Sequence, residues 1–197
     1  MAELGGRQVQ EALDALASRA EPPAAGVASA FATATAAALV ELTAGLAADR
    51  IEAEGSGASP NATERLRAIA SEASELRVRL LAIADDDARS YAQVTKAGGK
   101  AARATALDRA TGPPLAIAEC AADVAEAAEE IAAAGSWAFR ADAVVAGELA
   151  AAAARAGAEM VATNLAESAD DPRLARARTA AERARRASDA ATNPATG

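Results

Sequence analysis

Along most of the chain apolar residues recur every three or four positions, the repeat of a helix face rather than of a strand. Leu66, Ile69, Ala73, Leu76, Leu80 and Ile83 alternate spacings of three and four, which predicts a bundle helix with one inward seam. That seam runs on through Asp87, Ser90 and Val94, so it carries a carboxylate towards the interior. Asp85 and Asp86 fall off it and are expected to face solvent, and Gly98-Gly99-Lys100 breaks the helix. A first helix is expected over residues 4–19, with Val9, Leu13 and Leu16 on one stripe, stopped by Pro22 and Pro23. A second, over residues 24–50, has Phe31, Ala34, Ala38, Leu42 and Gly45 at helical spacing, and nearly every other position up to Val40 is small. A helix apolar all round belongs at the centre of a bundle.

Residues 54–61 read as a loop, with Ser59-Pro60 as cap and first turn of the third helix. A short helix over 101–110 ends at Thr111-Gly112-Pro113-Pro114. The fifth, over 113–134, has Ile117, Cys120, Val124, Ala127 and Ile131 on its seam, with Asp123, Glu126, Glu129 and Glu130 mostly elsewhere. Residues 135–140 read as a turn holding the only tryptophan, and the sixth helix, over 142–164, turns Val145, Leu149 and Ala152 inward. A last helix follows Pro172 to about residue 190, and residues 191–197 are expected to fray.

Composition supports the same picture. Of 197 residues, 52% are hydrophobic and only 2% aromatic, so the core is built from Ala, Leu, Val and Ile. Alanine is the best helix former. The expectation is an all-α, single-domain bundle of six or seven helices over residues 1–197, with a small-residue central helix and no repeat or linker. A net charge of -8 and few aromatics argue against a nucleic-acid partner. One cysteine, Cys120, leaves no internal disulfide and suits a reducing cytoplasm. No histidine is present, which excludes histidine acid/base chemistry and argues against a metal site. The first residues lack a signal-peptide pattern. The uncharged stretch from Pro22 to Val40 approaches spanning length, but its alanines, threonines and opening prolines fit a bundle helix better than a membrane partner. Arg173, Arg176, Arg178, Arg183, Arg185 and Arg186 on the last helix read as a solvated face balanced by Asp170, Asp171 and Glu182, with an anion-binding patch as the alternative.

Four stretches, in order, resemble the cyclodeaminase/cyclohydrolase family of folate enzymes. "VQEALDALASRAEPPAAGVASAFATATAAALVELTAGLA" resembles its opening, a short helix, a Pro-Gly-Gly-Gly-Ser turn and a small-residue helix. "LLAIADDDARSYAQVTKA" resembles its aspartate-then-aromatic segment, matched by Asp87 and Tyr91. "RATGPPLAIAECAADVAEAAEEIAAAGSWAFRAD" resembles the segment that closes on an aspartate, here Asp142. "AAAARAGAEMVATNL" resembles its closing Asn-Leu, here Asn164 and Leu165. The chain departs from the pattern at the turn, which reads Pro23-Ala24-Ala25-Gly26-Val27, and at Gly135-Ser136, where the family has Gly-Asn. A basic segment common after the family's second helix is replaced by "ADRIEAEGSG".

The resemblance implies a homodimeric α-bundle with a ligand cleft near the subunit interface. It implies a tetrahydrofolate derivative as substrate, with no tightly bound cofactor and no metal. The reaction is hydrolysis of 5,10-methenyltetrahydrofolate or cyclodeamination of 5-formiminotetrahydrofolate. Both pass through a tetrahedral carbon between two nitrogens and need proton transfer. Asp87 is the first candidate for that transfer, because a carboxylate on a buried seam has its pKa raised; a helix-bridging structural aspartate is the alternative. Asp142 is the second, or else an N-terminal cap. Pro23, Ala24, Ala25, Gly26, Tyr91, Ser136 and Asn164 are candidates for substrate contact, with filler or structural roles open for Tyr91 and Asn164. Lys96 and Lys100 could meet a glutamate tail or simply be solvated. Cys120 reads as core. The altered turn leaves open a second reading, a member that keeps bundle and dimer without turnover and binds a small molecule or a protein. A helical interaction module without a pocket would predict a featureless interior, and Asp87 argues against it.

Overall fold

The computed structural model describes residues 7–18, 25–54, 60–134 and 137–193, and every regular element among them is an α-helix. In chain order these are α1 (Arg7–Ala17), α2 (Ala25–Glu54), α3 (Pro60–Lys96), α4 (Lys100–Ala110), α5 (Gly112–Ala133), α6 (Trp137–Asn164) and α7 (Pro172–Thr192). The expected all-α bundle with a small-residue helix is thus the observed one.

Alanine makes the main core. Residues from α2, α3, α5, α6 and α7 bury together around Val40, Ile69, Val124 and Ile131, with alanines at most remaining positions. Such short side chains let helix axes approach closely. At Gly157 on α6 even a methyl is too much, since a Cβ there would stand 2.8 Å from the carbonyl oxygen of Pro114 on α5. Threonine serves as a small core residue once its hydroxyl is satisfied locally. The hydroxyls of buried Thr33, Thr43 and Thr111 donate to the carbonyls of Ser29, Leu39 and Leu107, at 2.8, 2.7 and 2.9 Å. This is why an Ala/Thr-rich sequence can fill a helix interface.

A smaller cluster of Ala30, Ala34, Leu80, Ile83, Ala84, Ile117 and Cys120 closes the end of the bundle where α2 begins. Gly99, at φ +85°, makes the break before α4. Asp171 caps α7 by accepting from the backbone N–H of Arg173, with Pro172 in the first turn.

Several expectations are corrected. Residues 137–140 are helix, not turn, because nothing in Trp-Ala-Phe-Arg breaks one. On α6 the inward seam runs through Ala143, Ala146, Ala150 and Ala154, while Val145 is exposed, Ala152 faces out and Leu149 is only half-buried. Close approach to α5 selects the small residues for the interface and turns the branched ones aside. On α2, Leu42 is 51% exposed rather than inward. The α1 stripe is likewise uncovered, with Val9 51% and Leu13 54% exposed. Of the arginines of α7, Arg178, Arg185 and Arg186 are exposed, as a solvated face requires, while others pair across helices. Arg176 pairs with Glu119 at 2.7 Å, and Arg183 pairs with Asp123 and Glu126 at 2.8 and 2.7 Å, lacing α7 to α5.

By length and composition α2 is long and apolar enough to cross a membrane, and 44% of the most apolar stretch is buried in the bundle.

Candidate functional site

The seam of α3 does what its spacing requires. Leu66, Ile69, Ala73, Leu80, Ile83 and Val94 are buried, and Asp87 lies among them at 8% exposure. Asp85 and Asp86 are exposed, as the period demands. Asp87 faces the start of α2. A Cβ placed on Gly26 would stand 2.1 Å from Asp87 Oδ2 and 2.2 Å from its Cγ. The carboxyl group therefore occupies the volume that any other residue at position 26 would fill.

Gly26 is the second residue of α2, so the carboxylate lies at the positive end of a 30-residue helix. No described residue gives it a hydrogen bond or ion pair, and burial alone acts on it, pushing its pKa up to about 6 from the ordinary 3.8. A bridging or capping aspartate has partners that hold its charge. Asp87 has none among the described residues, and its titration falls where proton transfer in both directions is feasible at neutral pH.

Between α3, α4 and the start of α5 opens a cavity of about 920 Å³, which Asp87 itself does not line. Ile83 and Ser90, one helical turn on either side of Asp87, reach its wall. Farther along stand Arg89, Lys96 and Arg109, with Asp86 paired to Arg89. Sequence reasoning raised Lys96 but missed Arg89 and Arg109. Both lie off the apolar seams, where a helix pattern carries no information about what a side chain faces; only the kink at Gly98-Gly99 brings α4 back across α3.

The remaining candidates divide. Tyr91, one turn beyond Asp87, is 39% exposed at the same end of the bundle. Ala25 is helical and no described non-glycine residue has positive φ, so alanine is unstrained there. Pro23, Ala24 and Ser136 lie outside the described residues. Asn164 Nδ2 donates to the carbonyl of Ala110 at 3.0 Å and so closes the end of α4. Lys100 pairs with Glu167 at 3.6 Å. Asp142 is exposed and is the sixth residue of α6, beyond the first turn, so it is not an N-terminal cap. It is also far from Asp87. Gly157 packs at the Pro114 end of α5, and Asp142 precedes it by fifteen residues, about 22 Å of helix. Within one chain the two aspartates do not form one site. Cys120 is buried core, and burial pushes its thiol pKa up.

Residues 8–183 match the family model of formiminotransferase-cyclodeaminase. No curated protein matches the chain. Among solved structures, the formiminotetrahydrofolate cyclodeaminase of Thermotoga maritima is similar at a TM-score of 0.76 and 21% identity, over 93% of this chain and 96% of that one. At that identity the likeness is one of fold, an independent sign that the helix order and packing described above form a recurrent arrangement.

Proposed function

The chain belongs to the formiminotransferase-cyclodeaminase family, and from that premise we propose that it acts on the one-carbon unit of a substituted tetrahydrofolate, with Asp87 carrying the proton. The observation that supports this is the buried Asp87 carboxyl, seated against Gly26 and without a partner among the described residues. Of the family's three turn glycines only Gly26 remains, and it is the one whose bareness Asp87 needs. That favours a working site over a degenerate one.

The chemistry follows from the carbon. In cyclodeamination N10 attacks the carbon of the protonated formimino group on N5 and becomes acidic. Asp87 takes the N10 proton and gives it to the amino group, which leaves as ammonia as the 5,10-methenyl bridge forms. In cyclohydrolysis water adds to the methenyl carbon and Asp87 takes its proton. The same proton goes to N5 as the C–N5 bond breaks, leaving 10-formyltetrahydrofolate and releasing one proton to solvent. Either sequence needs a single carboxyl that accepts and returns one proton. Tyr91, at the same end of the bundle, would bound the pterin.

We assign the assembly to a homodimer formed through the outward face of α2. Ala28, Phe31, Thr35, Leu39, Leu42 and Leu46 follow spacings of three and four on that face, uncharged and half-buried or exposed. The one charge nearby, Glu41, is turned to α3, where Arg77 holds it at 2.9 Å.

The deciding experiment offers the purified protein 5-formiminotetrahydrofolate and 5,10-methenyltetrahydrofolate, following appearance or loss of methenyl absorbance beside Asp87→Asn. Turnover of either, lost by about 100-fold or more in the variant, is expected for a positioned acid/base group. Turnover that survives in Asp87→Asn would remove Asp87 from the mechanism, and no turnover of either compound would remove the reading.

A further inference from the structure

α4 stands apart from the packing that holds its neighbours. No residue of it belongs to a core cluster, and Ala110, its last, is the only one buried. α5, twice as long, buries twelve. α4 separates two openings instead. Ala102, Thr105, Ala106 and Arg109 face the cavity of about 920 Å³ towards α3 and α5. Arg103, Ala104, Leu107 and Asp108 line a second cavity, of about 270 Å³, towards the α6–α7 turn and the start of α7.

Its two ends differ. Ala110 and Thr111 are buried, with the Thr111 hydroxyl donating to the carbonyl of Leu107 at 2.9 Å and Asn164 Nδ2 to that of Ala110 at 3.0 Å. At the other end a Cβ on Gly98 or Gly99 would meet nothing within 4 Å, and Gly99 holds a positive φ that only glycine adopts without strain. A helix fixed at one end and slack at the other pivots about the fixed end.

The ties that set its position lie mainly on one side. Arg173 of α7 donates to the carbonyl of Asp108 at 3.0 Å and pairs with its carboxylate. Lys100 pairs with Glu167 at 3.6 Å, but both side chains are exposed, so that pair contributes little. Arg173 is half-buried and is itself fixed by Asp171, which makes it the stronger hold. Towards α3 the bond is a 3.4 Å contact from Arg103 to the carbonyl of Val94. Apolar surface pulls the other way. Ile83, Ala97, Ala102, Ala106 and Ala116 all line the large cavity and would be covered if α4 moved towards α3.

We propose that α4 is a lid tied open, which pivots at Thr111 to close the large cavity against α3, and that the Arg173–Asp108 pair is the latch holding it back. Closure would sequester a bound molecule from water. The lid is independent of which ligand the cavity takes, because its pivot, slack and latch all belong to the chain itself.

α4 has 11 residues and is about 16 Å long, so a swing of about 20° carries its free end about 5 Å. Paired nitroxide labels read this in the protein without ligand. One is placed at Ala101→Cys on the free end of α4 and the other at Ala152→Cys on α6, both exposed and outside the two cavities, while Cys120 is buried. Pulsed electron spin resonance should give one distance in the parent. Arg173→Met and Asp108→Ala should each add a second, about 5 Å longer, as α4 leaves the α6 side. α7 should survive both changes, since Asp171 accepts from the backbone N–H of residue 173 whatever its side chain. Lys100→Ala should leave the parent distance as it is. A control pair that omits α4, Glu75→Cys with Ala152→Cys, should be unchanged throughout. An unchanged or shorter distance in both unlatched variants overturns the proposal. So does an equal change in the control pair, which would mean that the whole bundle had loosened.

Discussion

At the residue scale the proposed chemistry rests on one contact, Asp87 against Gly26, and its two halves can be tested apart. Because the folded pKa of Asp87 is raised to about 6, the folded state holds this proton more tightly than the unfolded chain does. The stability it contributes is present below about pH 4 and is lost as pH rises to about 6, by up to about 3 kcal/mol. Asp87→Asn, which never ionises, should therefore lack this loss across that window and be the more stable protein at pH 7. Chemical denaturation at pH 4, 5, 6 and 7 checks it; parallel curves for the two proteins would mean that Asp87 is not buried as a charge. Gly26→Ala attacks from the other side. Its Cβ overlaps Cγ as well as both oxygens, so turning the carboxyl group about its own axis gives no relief and the side chain must swing away. Helix content should persist, while turnover falls as far as in Asp87→Asn and the loss of stability between pH 4 and 6 shrinks. An active Gly26→Ala enzyme would contradict the placement. The seam position of Asp87 was legible in the sequence, because period alone decides which side of a long helix is covered. The partner it faces was not, since nothing in the spacing of α3 says what α2 presents.

At the element scale the helices were legible wherever large apolar residues mark the buried face, as on α3 and α5, and misread where alanine does. Alanine occupies every face of α2 and α6, so period loses its contrast, and the rarer branched residues were taken for the seam. In a core of closely approaching helices the rule inverts, and the smallest residue marks the contact. Two glycines of α6 show how finely. A Cβ at Gly157 would meet the Pro114 carbonyl oxygen at 2.8 Å and Ala118 Cβ at 3.0 Å, backbone and core that cannot yield cheaply. At Gly147 the nearest atoms, all of Ser188, lie 3.6 to 3.8 Å away, ordinary contact. Gly157→Ala should cost about 1–3 kcal/mol by forcing α5 and α6 apart. Gly147→Ala should be neutral or add up to about 1 kcal/mol, the helix preference of alanine over glycine. Thermal melts of the two variants decide it, and equal shifts would mean that the α5–α6 distance is not the constraint proposed.

At the scale of the whole molecule the outward face of α2 asks for a partner. Its stripe from Ala28 to Leu46 extends about 27 Å without a charge. Val78 and Leu81, exposed on α3 beside the Arg77–Glu41 pair, widen it. A second copy suits it, because a two-fold axis would set each stripe against its own duplicate and leave the acidic residues on the rim. Leu42 is exposed in the single chain, so Leu42→Glu should leave the fold intact while placing two like charges across the axis. Light scattering should give twice the 19.5 kDa chain mass for the parent and the chain mass for the variant, with helical circular dichroism unchanged. Turnover should fall with the dimer if the partner completes the site, and survive in the monomer if one chain suffices. A parent that runs as a monomer and sediments with lipid vesicles would instead give this face to a membrane, for which α2 has the length.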